Sequence, residues 1–168
     1  MGHYTIAFIV DAENREDAKA VVEDLFEGGN DYSFWEATGF DHGEVLDGDA
    51  EDPDDPRMVP IDSVEGRALL QELMRGMKAT WVHYAKHLYQ KMRRARSRGV
   101  SFERMWEHST ENQMRYAAHQ LGSYGGPAIA IYEEHGGGIA DEVELRRHLA
   151  STVGAGETRF LVPADVHY

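Results

Sequence analysis

The stretch Tyr4-Thr-Ile-Ala-Phe-Ile-Val10 is apolar on both faces of an extended strand, and Pro127-Ala-Ile-Ala-Ile-Tyr132 repeats this pattern late in the chain. Strands that are apolar throughout are typical of sheets whose two faces are both covered by other elements. We therefore predict that these two segments are the central, neighbouring strands of one sheet.

Each of these strands is followed by a predicted helix and a further strand. After the first, Asn14 can cap a helix over residues 14–27, and Gly28 and Gly29 can end it. Bulky side chains alternate over Tyr32–Phe40, which predicts a half-exposed second strand. The chain therefore opens with a β-α-β unit.

The last third of the chain repeats this order. Asp141 and Glu144 have the spacing of a capping box, which predicts a helix that continues to about Thr152. The segment Thr158–Pro163 is the predicted final strand. A β-α-β/β-α-β order with first and third strands inside is that of a ferredoxin-like sheet, so we predict an α/β (α+β) fold of this class.

An insertion separates the two halves of the predicted single domain. Residues 1–40 and 123–168 form the two β-α-β units, residues 41–61 form an acidic loop, and residues 62–122 form a two-helix hairpin. Asp62 and Glu65 can cap the first inserted helix, Gly99 can end it, and Ser101 can cap the second. Such a first helix would be about 54 Å long, whereas a domain of this size has a radius of gyration of about 15 Å.

The length of this helix leaves alternatives open. Either the helix bends near Gly76, or it protrudes from the domain and packs against a partner. The side with Trp81, Tyr84 and Leu88 could pack on the sheet or on a second copy in a homo-oligomer. The apolar sheet favours packing on the sheet.

Charge is distributed unevenly along this acidic chain. The chain has 17 Lys and Arg, 30 Asp and Glu and a net charge of −13, yet residues 75–98 contain no acidic residue. The basic residues there are Arg75, Lys78, Lys86, Lys91, Arg93, Arg94, Arg96 and Arg98, and Arg104 and Arg115 follow on the second helix. A concentrated positive field indicates an anionic partner.

Nucleic acid is the leading candidate for that partner, since phosphates release counterions when basic side chains neutralise them. Another phosphate-bearing ligand would satisfy the same chemistry. Residues 41–55 carry eight acidic residues and no Lys or Arg, so the loop could instead neutralise the basic helix internally. A protein partner is the third interpretation.

Histidines on the two inserted helices offer metal ligands. His83 and His87 are four residues apart, and His108 and His119 lie on one side of the second helix. In an antiparallel hairpin the two pairs could converge on a divalent metal. Surface histidines on amphipathic helices are the structural alternative, and we predict no obligatory cofactor.

Carboxylates at the predicted sheet edge offer a different chemistry. Asp11 closes the first strand, and the predicted topology brings Asp41 and Glu44 to the same edge. Such groups could hold the two metals of a palm-type phosphoryl-transfer site. The segment Phe8–Asn14 also resembles the opening strand of PIN-like nucleases, and this resemblance implies metal binding by Asp11. A turn or cap residue is the structural alternative.

Composition restricts the remaining function classes. The chain contains no Cys, so neither disulfides nor thiolate metal sites are expected. No apolar run reaches the roughly 18 residues of a membrane span, and no signal-peptide pattern opens the chain. We expect a small cytoplasmic regulatory protein without catalytic activity that binds an anionic ligand. The alternatives are a metal-dependent phosphoryl-transfer or hydrolytic enzyme, and an acidic protein-interaction module such as a viral or host regulator.

Overall fold

The protein has a mixed α/β architecture built around one sheet. The computed structural model describes residues 3–28, 34–47, 57–101, 104 and 129–167. The elements in chain order are β1 (His3–Ala12), α1 (Arg15–Glu27), α2 (Phe34–Thr38), β2 (His42–Val45), β3 (Val59–Pro60), α3 (Val64–Ser97), β4 (Ile131–Glu133), α4 (Glu142–Leu149) and β5 (Thr158–His167).

The sheet has five strands in the order β2-β5-β1-β4, and β3 also pairs with β5. β1 and β5 form the longest ladder, which is antiparallel and extends from His3↔His167 to Ala12↔Thr158. β4 pairs with β1 in parallel, with Ala7 opposite Ile131. The inner strands of the described sheet are therefore β1 and β5.

This strand order differs from that of a ferredoxin-like sheet. As in a ferredoxin-like sheet, β1 lies between β4 and the final strand, β5. In a ferredoxin-like sheet β2 would pair with β4, whereas here it pairs with β5. The predicted central position of the segment ending at Tyr132 is therefore wrong within the described sheet. Its apolar sequence has another cause: Ile131 and Tyr132 are both almost fully buried because elements cover both faces of β4.

The second predicted strand is also wrong, because residues 34–38 form the short helix α2. Phe34 is completely buried, and its ring centroid lies 5.4 Å from that of Phe8. Thr38 Oγ1 donates a hydrogen bond to the Phe34 carbonyl oxygen, and Gly39 adopts a φ of 78° directly after the helix. A single helical turn directs Phe34 into the core while its backbone forms local hydrogen bonds, so tertiary packing decides this segment.

The helix starts were predicted more accurately than the strands, because local capping residues mark them. The side chain of Asn14 accepts a hydrogen bond from Asp17 N at the start of α1. Asp141 accepts from Val143 N and Glu144 N at the start of α4. α3 begins one residue later than predicted, since Ser63 and not Asp62 is its cap.

The predicted hairpin can be followed only in part. α3 is helical without interruption past Gly76, and Gly99 adopts a φ of 71° just beyond its end. Ser101 Oγ accepts a hydrogen bond from Arg104 N at 3.2 Å, which is the bond of a helix cap. Residues 105–122 lie outside the described residues.

The sheet separates two apolar cores. On one face Phe8 and Val10 pack with Val22 of α1 and with α2. On the other face Ala7 and Ile9 pack with residues of α3 and α4, which include Leu73, Met77 and Leu145. The inserted helix thus packs on the sheet through its first half, whereas Trp81, Tyr84 and Leu88, the residues predicted for this contact, are not buried.

Two glycines of α3 differ in how closely other residues of the chain approach them. A Cβ at Gly66 would lie 2.3 Å from the Pro60 carbonyl oxygen and 3.0 Å from Ile61 Cα, whereas a Cβ at Gly76 would meet nothing within 4 Å. We expect Gly66→Ala to lower the free energy of unfolding by about 1–3 kcal/mol, because backbone atoms must move.

Gly76→Ala is the matched control in the same helix. Alanine is the better helix former, so we expect the free energy of unfolding to rise by about 0.5–1 kcal/mol. Urea denaturation of both variants measures the difference. Equal effects of the same sign would contradict the close packing of α3 on residues 60 and 61.

Candidate functional site

The second half of α3 leaves the core. At 1.5 Å per residue the helix is about 51 Å long. Its buried residues are Gly66, Leu73 and Met77, and no residue of α3 beyond Met77 is buried. This half of the helix carries most of the basic residues that the sequence predicted as a ligand-binding surface.

Five of these basic residues share one side of the helix. At about 100° per residue they fall within an arc of about 80°, on the side opposite to Leu73 and Met77. They are Arg75, Lys78, Lys86, Arg93 and Arg96, all exposed, and we call them the basic stripe. The stripe extends over about 32 Å.

The other predicted cations lie outside this arc. Arg94, Arg98 and Arg104 are exposed, and Lys91 is half-buried. Arg115 is outside the described residues. The structure thus places one ordered row of positive charge on α3, with further cations around its C-terminal end.

The acidic loop does not neutralise the stripe as far as the loop is described. Asp41 lies beside His167, and the Asp47 carboxylate pairs with Lys19 of α1 at 2.5 Å. Arg15 donates a hydrogen bond to the Asp47 carbonyl oxygen. Residues 48–56 of this loop lie outside the described residues. Among the described residues, no ion pair joins the basic stripe to a carboxylate.

Asp11 is engaged in a largely buried ion pair. Arg159 Nε and Nη2 donate to the two carboxylate oxygens of Asp11, each at 2.6 Å. The Arg159 side chain is 6% exposed and that of Asp11 23%. The hydrogen bonds to Asp11 raise the pKa of Arg159, although burial acts in the opposite direction.

Arg159 also closes the end of α4. It donates hydrogen bonds to the carbonyl oxygens of His148 and Leu149, at 3.3 and 3.1 Å, and to Ser151 Oγ at 3.0 Å. A helix end leaves carbonyl groups without intrahelical partners, and a guanidinium can satisfy several of them at once. Asp11 and Arg159 therefore join β1, β5 and α4.

The other predicted carboxylates lie far from Asp11. Asp11 is opposite Arg159, whereas Glu44 is opposite Asp165. These positions on β5 are six residues, or about 20 Å, apart. The structure does not bring Asp11 together with Asp41 and Glu44, because β2 pairs with the C-terminal part of β5.

A cluster of histidines at that end of the sheet was not predicted. His3, His167 and His42 lie side by side on β1, β5 and β2. The ring centroids of His3 and His42 lie 5.3 and 5.0 Å from that of His167. His3 Nδ1 lies 2.6 Å from an Asp165 carboxylate oxygen. Only the register aligns these residues, so the sequence holds no local signal for them.

The geometry around His167 is less regular. Its Nδ1 lies 3.1 Å from an Asp41 carboxylate oxygen, within ion-pair distance. The same buried nitrogen has no partner with the geometry of a hydrogen bond. We therefore describe the His167–Asp41 contact as a close approach of the two side chains and not as a hydrogen bond.

Metal ligation by the inserted histidines remains a prediction. His83 is exposed and His87 half-buried on α3, whereas His108 and His119 lie outside the described residues. Among the residues that the structure describes, no three His, Cys, Asp or Glu side chains are arranged to hold a metal ion.

The predicted contact face for a second copy is partly accessible. Trp81 is 53% exposed, and Tyr84 and Leu88 are half-buried. Self-association through this face stays a prediction. In the described part of the chain, no helix combines the length and the apolar character needed to cross a bilayer.

Comparison with known proteins places the chain in a family. Residues 2–168 match the family described as "Domain of unknown function (DUF7995)", and the chain belongs to this family. No curated protein and no solved structure matches the chain.

Proposed function

We propose that this member of a family of unknown function is a regulatory protein without catalytic activity that binds nucleic acid through the basic stripe. The observation that carries the proposal is the row of exposed cations on α3, four of which lie beyond Met77, the last buried residue of the helix. In the described part of the chain, none of the five stripe cations forms an ion pair with a carboxylate.

The charge pattern favours a phosphate polymer over a single small anion. Five cations spread over about 32 Å would contact successive phosphates along a strand or duplex. The net charge of −13 opposes binding over the rest of the surface, so contact would be confined to the stripe and the nearby Arg94 and Arg98.

An enzyme that uses Asp11 is less well supported. Both oxygens of its carboxylate accept hydrogen bonds from Arg159, and Asp41 and Glu44 lie at the far end of β5. A metal at Asp11 would have to displace a largely buried guanidinium. The acidic loop as a protein-binding module rests on sequence alone.

We expect binding to labelled oligonucleotides to fall steeply with salt. If all five stripe residues contact phosphates, the association constant should drop roughly 500-fold for duplex DNA, and roughly 130-fold for a single strand, between about 50 and 200 mM salt. Arg93→Ala/Arg96→Ala removes two contacts, so the duplex dependence should shrink to roughly 40-fold. Fluorescence anisotropy measures both quantities.

Arg146→Ala/Arg147→Ala is the matched control, since it removes two exposed cations from α4. It should leave the salt dependence unchanged. Absence of binding at about 50 mM salt would refute the proposal. An equal loss in both double variants would show that net charge, and not the stripe, governs binding.

A further inference from the structure

An aromatic side chain lies within the basic stripe. Tyr89 is 65% exposed; along the helix axis it lies between Lys86 and Arg93, and around the axis it falls within the arc of the stripe. Residues three and four apart are neighbours on a helix surface, so Lys86 lies about one turn before Tyr89 and Arg93 about one turn after it. Arg96 follows one turn beyond Arg93.

Phosphate binding alone gives no reason for this aromatic group. A phenol ring between cations interrupts the positive surface and leaves apolar area in water. Unlike a phosphate, every nucleic-acid base has a face on which an aromatic side chain can stack. In a duplex those faces are already stacked on one another, whereas in a single strand they are accessible.

From this position we infer that the ligand is a single-stranded nucleic acid, and that Tyr89 stacks on one of its bases while the flanking cations hold adjacent phosphates. The inference rests on the proposed function and specifies its ligand class. It separates two contributions: the cations set the salt dependence, and Tyr89 adds affinity that depends on the presence of a base.

Another exposed aromatic residue of α3 provides a contrast. Trp81 is 53% exposed but lies about 80° around the helix from Tyr89, outside the basic stripe. A strand that follows the stripe would contact Tyr89 and not Trp81. Trp81→Ala is therefore the matched control for the loss of an exposed ring from the same helix.

The test compares three labelled ligands at one low salt concentration: single-stranded DNA, an abasic strand of equal length, and duplex DNA. Tyr89→Ala should weaken binding to the normal single strand about 5- to 150-fold, and leave binding to the abasic strand and the salt dependence unchanged. Tyr89→Phe, which keeps the ring, and Trp81→Ala should both bind the normal strand within about twofold of the parent. Circular dichroism confirms that α3 is retained in each variant.

The outcomes distinguish this inference from the proposed function. If the parent protein binds none of the three ligands and also fails to bind a single-stranded RNA of equal length, both are refuted. If it binds all three with equal affinity and Tyr89→Ala has no effect, the basic stripe binds phosphates but the stacking inference is wrong. A loss for Trp81→Ala as large as that for Tyr89→Ala would likewise overturn the stacking inference.

Discussion

Arg159→Met is expected to lower the free energy of unfolding by about 3–5 kcal/mol, because it leaves a largely buried carboxylate without its charge partner. The Arg159 side chain is 6% exposed and that of Asp11 23%, so water can solvate only part of the carboxylate once the guanidinium is removed. The substitution also removes the donors to the carbonyl oxygens of His148 and Leu149 at the end of α4. Methionine retains much of the volume of the aliphatic stem, so the charge and the hydrogen bonds are the main loss.

Urea denaturation at pH 7 measures this change, and Arg146→Met is the matched control. Arg146 forms an exposed pair with Glu142 on α4 and should contribute less than about 1 kcal/mol. Asp11→Asn and the double variant complete a thermodynamic cycle, and a large coupling energy between Asp11 and Arg159 is expected. A loss for Arg159→Met no larger than that for Arg146→Met would contradict the structural role of the pair.

Phe34→Ala is expected to lower the free energy of unfolding by about 3–5 kcal/mol, although Phe34 belongs to a helix of only five residues. Phe34 is completely buried. Its ring centroid lies 5.7, 5.4 and 5.2 Å from those of Phe26, Trp35 and Tyr132. Removing the ring would leave a cavity among aromatic side chains that cannot fill it by small shifts.

Chemical denaturation with tryptophan fluorescence measures this loss, since Trp35 lies beside the substituted residue. Val143→Ala provides the control, because Val143 is 64% exposed on α4 and should change the free energy of unfolding by less than about 0.5 kcal/mol. A small effect for Phe34→Ala would mean that α2 does not anchor the core.

Features that depend on neighbouring residues were predictable from the sequence. Asn14 and Asp141 cap the helices at which they were placed, and the exposed cations of α3 follow from a charge run on a helix. The segments of β1 and β5 were also placed correctly, although β5 continues beyond Pro163 to His167. These signals are local, so no knowledge of the distant chain was needed.

Strand order was not predictable, because burial does not reveal which strand is central. β4 is apolar since elements cover both of its faces, yet it lies at the edge of the described sheet. Conversely, β5 is central although it contains Pro163, a residue type that usually marks an edge strand. On that side of β5 the ladder with β3 ends at Leu161 and the ladder with β2 begins at Ala164, so the missing N–H of Pro163 falls between the two.

Only the part of the candidate site that lies on a single helix was predictable from the sequence. The cations of the stripe share α3, and their spacing alone places them together. Asp11 and Arg159 lie 148 residues apart, and the three clustered histidines come from three strands, so only the register brings each set together. The exposure of Tyr89 also depends on where α3 leaves the sheet, which the helical pattern does not specify.

The central position of β5 has a consequence for how the protein forms. β1, β2 and β3 all take backbone partners from residues 158–167, and the β1 ladder joins residues about 150 positions apart. None of these ladders can form before that segment is available. Before β5 is synthesised, the apolar Ile6–Val10 segment can pair only with the short strand β4, so one edge of β1 stays unpaired and prone to aggregation. Closure of this long loop, rather than formation of the helices, is expected to set the folding rate.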